Sequence, residues 1–154
     1  MQVKIKNRFN MNNKFRCNCP ITSALDIVGD RWTLVIIKQM LIEGKKTFKD
    51  FSESEEAIAT NILSSRLKML EEFNIITKGK LPNNNKTNIY ILTQKGLALT
   101  PVIVELCIWG DANMRDFQPG IIDGEHMDAL KNNKEECIIK LQKKYREKTD
   151  YKKD

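Results

Sequence analysis

Apolar residues recur at helical spacing over most of the chain, and the period drops to two in one short stretch only. Ile21, Leu25 and Val28 define a first helix, opened by Pro20 and stopped by Gly29. Asp30 is a good N-cap for a second helix. There Trp32, Val35, Ile36, Ile37, Met40 and Leu41 form a strongly apolar run ending near Gly44. Thr47 and Asp50 fit a capping box for a short helix carrying Phe48 and Phe51. After a Ser/Glu loop over 52–56, Leu63, Leu67, Leu70 and Phe73 predict a helix over 59–73, with Asn74 as its stop.

Alternation then takes over. Residues 75–81 and 88–92 read as two strands around the polar turn 82–86, with Ile89 and Ile91 on one face and Tyr90 and Leu92 on the other. Helical period returns after Thr93 through Leu97, Leu99, Val102, Ile103, Leu106 and Trp109, with an interruption expected at Pro101. A break over 117–120 precedes a last helix over 125–148, with Met127, Leu130, Ile138 and Leu141 on its apolar side. The order predicts a mainly α fold with a small β-hairpin wing, a winged helix-turn-helix. Residues 1–16 read as a flexible basic arm, 17–112 as the winged helix-turn-helix, and 113–154 as a C-terminal helix with a basic tail.

The predicted helix over 59–73 is amphipathic in an informative way. Leu63, Leu67, Leu70 and Phe73 fall on one side, with Ile62 at its edge; Thr60, Asn61, Ser64, Ser65 and Lys68 fall on the other. An ordinary solvated face is one reading. Such faces usually carry more Glu and Lys, which favours the other reading, base readout in a major groove. There Asn pairs with adenine, Ser and Thr meet base edges, and Arg66 and Lys68 reach phosphates. Charge agrees. The net charge is +6, and 58–95 holds six Lys/Arg against Glu71 and Glu72 alone. Lys78, Lys80 and Lys86, with Asn84 and Asn85, cluster on the hairpin. The tail lysines over 140–153 are mixed with acids and read as a solvated face.

Other classes are poorly supported. The chain lacks an apolar run of membrane-spanning length and reads as cytosolic. It shows no Gly-rich phosphate loop, no CxxC pair and one histidine, His126, so neither an enzyme, a zinc framework nor a cofactor is implied. A winged protein-interaction module remains the rival to DNA binding.

Cys19-Pro20, Gly29-Asp30-Arg31-Trp32, Phe48-Lys49-Asp50-Phe51, Ile58, Leu63-Ser64-Ser65-Arg66-Leu67, Leu92-Thr93-Gln94-Lys95-Gly96 and Trp109-Gly110 follow one another in an order that resembles the HxlR family of bacterial regulators. The resemblance implies a homodimeric regulator of transcription, paired through its terminal helices, on a pseudo-palindromic double-stranded DNA operator; repression is the commoner expectation for a small one-domain regulator without an activation surface. It places the readout helix at Thr60–Leu70 and the wing at Lys78–Asn88. It also implies an electrophile or oxidant sensor at the cysteine before the proline, here Cys19. Members usually carry Pro-Gly and a capping Ser ahead of the readout helix, where this chain has Glu55-Glu56-Ala57 and Ala59.

A reactive thiol needs a helix N-terminus or nearby positive charge. Cys19 has the first in prospect, and Arg16 offers the second. Cys17 and Cys107 are candidate partner thiols, whereas Cys137 reads as a small buried hydrophobe. Sensing of a small ligand is the alternative, with Trp32, Trp109 and Met114 either lining a pocket or filling plain core.

Overall fold

The structure is a computed structural model that describes residues 15–122, 124 and 126–149. The arm over 1–14 and the tail over 150–154 lie outside the described residues, so their expected roles stay with the sequence.

Helix α1 (Pro20–Val28) begins at its proline and ends at Gly29. Helix α2 (Thr33–Leu41) starts two residues later than its cap suggests, because 31–32 form a turn. Asp30 nevertheless caps it, accepting from the amides of Trp32 (2.9 Å) and Thr33 (3.1 Å). Gly44 ends the turn after α2 at φ +68, a left-handed conformation that glycine adopts without strain. Helix α3 (Phe48–Ser52) has the expected capping box between Thr47 and Asp50. Helix α4 (Thr60–Glu72) is followed by Asn74 at φ +57.

Strands β1 (Ile76–Leu81) and β2 (Asn84–Leu92) form one antiparallel hairpin. Strand β2 begins four residues earlier than the alternation predicts. Asn83 stays in the turn, while Asn84 pairs with Leu81, past a bulge between Lys80 and Leu81. Helices α5 (Gln94–Leu97) and α6 (Thr100–Asn113) are separate, with Pro101 in the first turn of α6. The expected last helix is two: α7 (Met127–Asn132) and α8 (Lys134–Lys148) meet at Asn133. Asn133 leaves helical geometry at φ −132, ψ 46, so the helical period of 125–148 carries across a break.

The core is Ile36, Ile37 and Met40 of α2, Phe51 of α3, Leu63, Leu67 and Leu70 of α4, Ile76 and Leu92 of the wing, and Leu97. Each is nearly or wholly excluded from solvent. Truncating any of the leucines to alanine removes about 2–5 kcal/mol. Helix α8 packs on α2 and α6 and joins the same core through Tyr145, whose hydroxyl accepts from the Leu92 amide at 2.8 Å. Gln142 of α8 donates to the Leu97 carbonyl at 3.0 Å.

Candidate nucleic-acid interface

Helix α4 buries Leu63, Leu67 and Leu70 and half-buries Ile62 and Phe73, as the wheel requires. Thr60, Asn61, Ser64, Ser65 and Lys68 are all exposed. The polar face is therefore presented to solvent, with no acid before Glu71.

Two locks hold that helix at its flanks. Near its middle, Arg66 lies half-buried, with Nη1 3.5 Å from Oδ1 of Asp30 and 3.8 Å from Sδ of Met69. Arg66, expected at a phosphate, thus faces Asp30 in the free protein, and Lys68 is the exposed cation of α4. Burial pushes the Asp30 carboxyl up. Hydrogen bonds from Thr33 and Trp32, with the Arg66 charge, outweigh it and hold the group below the usual carboxylate range. The Gly-Asp-Arg-Trp motif thus ties α2 to α4.

The second lock is the corner between α4 and the wing. Thr93 Oγ1 donates to the Asn74 carbonyl at 2.6 Å and accepts from the Gly96 amide at 3.2 Å. Lys95 Nζ donates to the Phe73 carbonyl at 3.1 Å, where its charge also suits the helix C-terminus. A Cβ on Gly96 would lie 2.3 Å from the Ile75 carbonyl oxygen, so only glycine fits there. The Thr-Gln-Lys-Gly motif therefore sets the angle at which the wing leaves α4.

The loop before α4 explains the departure from Pro-Gly and Ser. Ala57 occupies φ +54, the left-handed region a glycine would take freely, at a cost of about 1 kcal/mol. Ala59, the N-cap, makes no side-chain cap bond. Glu56 compensates by tying the loop to α2, accepting from Lys38 Nζ and from Gln39 Nε2 at 2.8 Å. Burial raises the Glu56 pKa, but these bonds overcome it and bring the carboxyl down to about 2. A depressed carboxylate stabilises the fold fully above its unfolded value of 4.5 and loses that contribution as pH falls towards 2. Urea melts of the native chain and Glu56→Gln should differ by about 1–2 kcal/mol at neutral pH, discounted for partial exposure of both partners. The gap should close below pH 4.5. A gap that persists to pH 2 would remove the ion pair from the account.

On the wing, Lys78, Lys80, Asn84, Asn85 and Lys86 are all exposed. Lys80 bonds Asn88, and Asn84 shapes the tip, accepting from the Lys86 amide at 3.0 Å and donating to Thr87 at 2.9 Å. Asn84 is thus committed to the turn, while Lys78 and Lys86 project without an ion pair among the described residues.

Apolar side chains are also left outside. Val102, Leu106 and Trp109 make one stripe on α6, and Ile21 and Leu25 make a smaller one on α1. Trp109 is 58% exposed, so the expectation that it fills core or lines a pocket with Trp32 is corrected. Trp32 packs against the core, with the Arg31 guanidinium 5.4 Å from its ring.

Cys17, Cys19 and Cys107 are exposed thiols, and Cys137 is half-buried. Cys19 is the N-cap of α1. Its side chain makes no cap hydrogen bond by distance and angle, but the amide and hydroxyl of Thr22 and the Ile21 amide, at the start of α1, lower its thiol below the ordinary value. Arg16 does not contribute as expected, because its guanidinium pairs with Asp26 at 2.6 Å. Cys107 Sγ lies 3.7 Å from Met127 Sδ.

No helix among the described residues is long and apolar enough to cross a membrane. A family model described as HxlR-like helix-turn-helix matches residues 27–118. The HTH-type transcriptional regulator YodB of Bacillus subtilis (strain 168) is 39% identical over 94 residues, 60% of this chain and 83% of that protein. The reduced form of YodB superposes with TM-score 0.51 at 37% identity, over 68% of this chain and 99% of that one. The redox regulator HypR in its oxidised form gives TM-score 0.55 at 29% identity, over 62% of this chain and 97% of that one. A quinone-bound YodB structure gives TM-score 0.51 at 36% identity, over 61% of this chain and 99% of that one. The chain belongs to the HxlR-like helix-turn-helix family of transcriptional regulators.

Proposed function

We propose that the chain binds a pseudo-palindromic duplex DNA operator as a homodimer, represses transcription there, and is switched by oxidants or electrophiles at Cys19. The observation that carries the DNA reading is the exposed, acid-free face Thr60–Asn61–Ser64–Ser65–Lys68, held at fixed angle to a lysine-bearing wing. In this reading Asn61 and Ser65 meet base edges, and Lys68, Lys78, Lys80 and Lys86 meet phosphates. Arg66 acts through Asp30, and Asn84 and Asn85 shape and flank the tip. The stripes on α1 and α6, with Ile139 of α8, pair the protomers over the unit 17–112 and its C-terminal helices.

The switch is supported by the lowered Cys19 thiol at a helix N-terminus and by the redox states and quinone of the solved relatives. Cys107, on the helix that carries the larger stripe, is the partner thiol favoured by position, ahead of Cys17. Linking thiols between protomers would alter the spacing of the two α4 helices.

The experiment is a gel-shift titration on the DNA upstream of the chain's own reading frame, reduced and then diamide-treated. Reduced protein should bind and treated protein should release. Cys19→Ser should bind with native affinity and stay bound after treatment. A Cys19→Ser protein that still releases would move the switch elsewhere. Absence of any preference for that DNA over competitor would favour the protein-interaction reading.

A further inference from the structure

Between α8, the wing and the loop after α2 lies a cleft of about 720 Å³, within the roughly 300–1,000 Å³ of small-molecule sites. One side of it is apolar. Ile89 and Ile91 present the outer face of β2, Leu81 and Leu141 are half-buried beside them, and Ile42 stands at the edge, 52% exposed.

Its charge is one-sided. Among the described residues four lysines line it, Lys45, Lys46, Lys144 and Lys148, against the carboxylate of Glu43. Glu43 is engaged by Lys38 at 3.5 Å and Lys45 at 3.9 Å, and Lys46 lies in the field of Asp50. The two α8 lysines differ from their neighbours. Lys140 pairs with Glu136 and Lys143 with Glu147, each one turn away. Lys144 and Lys148 have each other at that spacing, and neither has an ion pair among the described residues. Like charges at i,i+4 destabilise a helix unless an anion lies between them.

We propose that this cleft binds an amphiphilic organic carboxylate, its hydrocarbon body against Ile89, Ile91 and Leu141 and its carboxylate between Lys144 and Lys148. A neutral apolar body would leave both cations unpaired, and a polyanion would leave the apolar walls wet. Helix α8 lies outside the residues 27–118 of the family match, so this wall is supplied by the chain beyond that match. Tyr145, between the two lysines in sequence, accepts the amide of Leu92 at the end of β2, so an occupant bridges α8 to the wing. Only that effect on the wing rests on the DNA-binding reading; binding itself does not.

The test is calorimetric titration of the full chain, without DNA, with decanoate below its micelle concentration and with decyltrimethylammonium as the cation of equal tail. Decanoate should saturate at one per chain, and the cation should bind at least roughly tenfold more weakly. The double variant Lys144→Gln/Lys148→Gln should weaken decanoate roughly tenfold with an unchanged thermal melt. Ile42→Asp, at an exposed position, should weaken it as well. Equal uptake of both amphiphiles, or undiminished decanoate binding by the double variant, would assign uptake to the exposed α6 stripe and overturn the proposal. Loss of duplex affinity by the double variant with no decanoate binding by the native chain would assign the lysines to phosphates and overturn it too. Native decanoate binding by a chain that binds no DNA would leave the site standing and remove the regulator reading.

Discussion

Trp109→Glu is expected to convert the dimer to monomers and to lower operator affinity by about 10²–10⁴-fold. Two recognition helices on one rigid body convert the second half-site contact into an intramolecular event, and that advantage disappears with the dimer. Trp109 is more than half exposed in the protomer, so its replacement leaves the core intact. It lies at the end of the stripe Val102–Leu106–Trp109, where a carboxylate facing its counterpart would be buried without a partner. Sedimentation should show the protomer mass, and circular dichroism an unchanged fold. A variant that remains dimeric would move the pairing surface off α6.

Asn61→Ala with Ser65→Ala is expected to remove operator discrimination while sparing general affinity for DNA. Each bidentate base contact contributes about 1–3 kcal/mol of discrimination, and a dimer makes it in both half-sites. Both residues are exposed on α4 and touch nothing in the core, so folding should be indifferent to the change. Binding to arbitrary duplex should keep its steep salt dependence, because the wing lysines remain. The measurement is competition between operator and scrambled duplex. Retained discrimination by the double variant would exclude α4 from base reading.

Much of this arrangement was legible in the sequence. The cap at Thr47, the stop at Asn74 and the apolar stripe of α4 are local chemistry realised where the residues place them, while Asp30 caps α2 from two residues further upstream than its position suggests. What escaped depends on partners distant in the chain. Arg66 reads as a phosphate ligand until Asp30 is brought to 3.5 Å from it. Arg16 reads as a thiol activator until Asp26 takes its charge. Glu56 reads as a departure from Pro-Gly, and only the fold shows it fastening a strained Ala57 to α2. The break at Asn133 is invisible to periodicity, because residues on both sides keep the same apolar spacing. Trp109 reads as core by composition and is exposed on α6, where the proposed pairing would cover it with a second copy.

The most direct measurement of the central claim is selection of bound duplexes from a random-sequence library by the reduced protein. Enrichment of one inverted repeat is expected, its half-site centres about one or two helical turns of DNA apart. Recovery of duplexes with no shared sequence, or of a single unrepeated site, would contradict a homodimer reading its operator through α4.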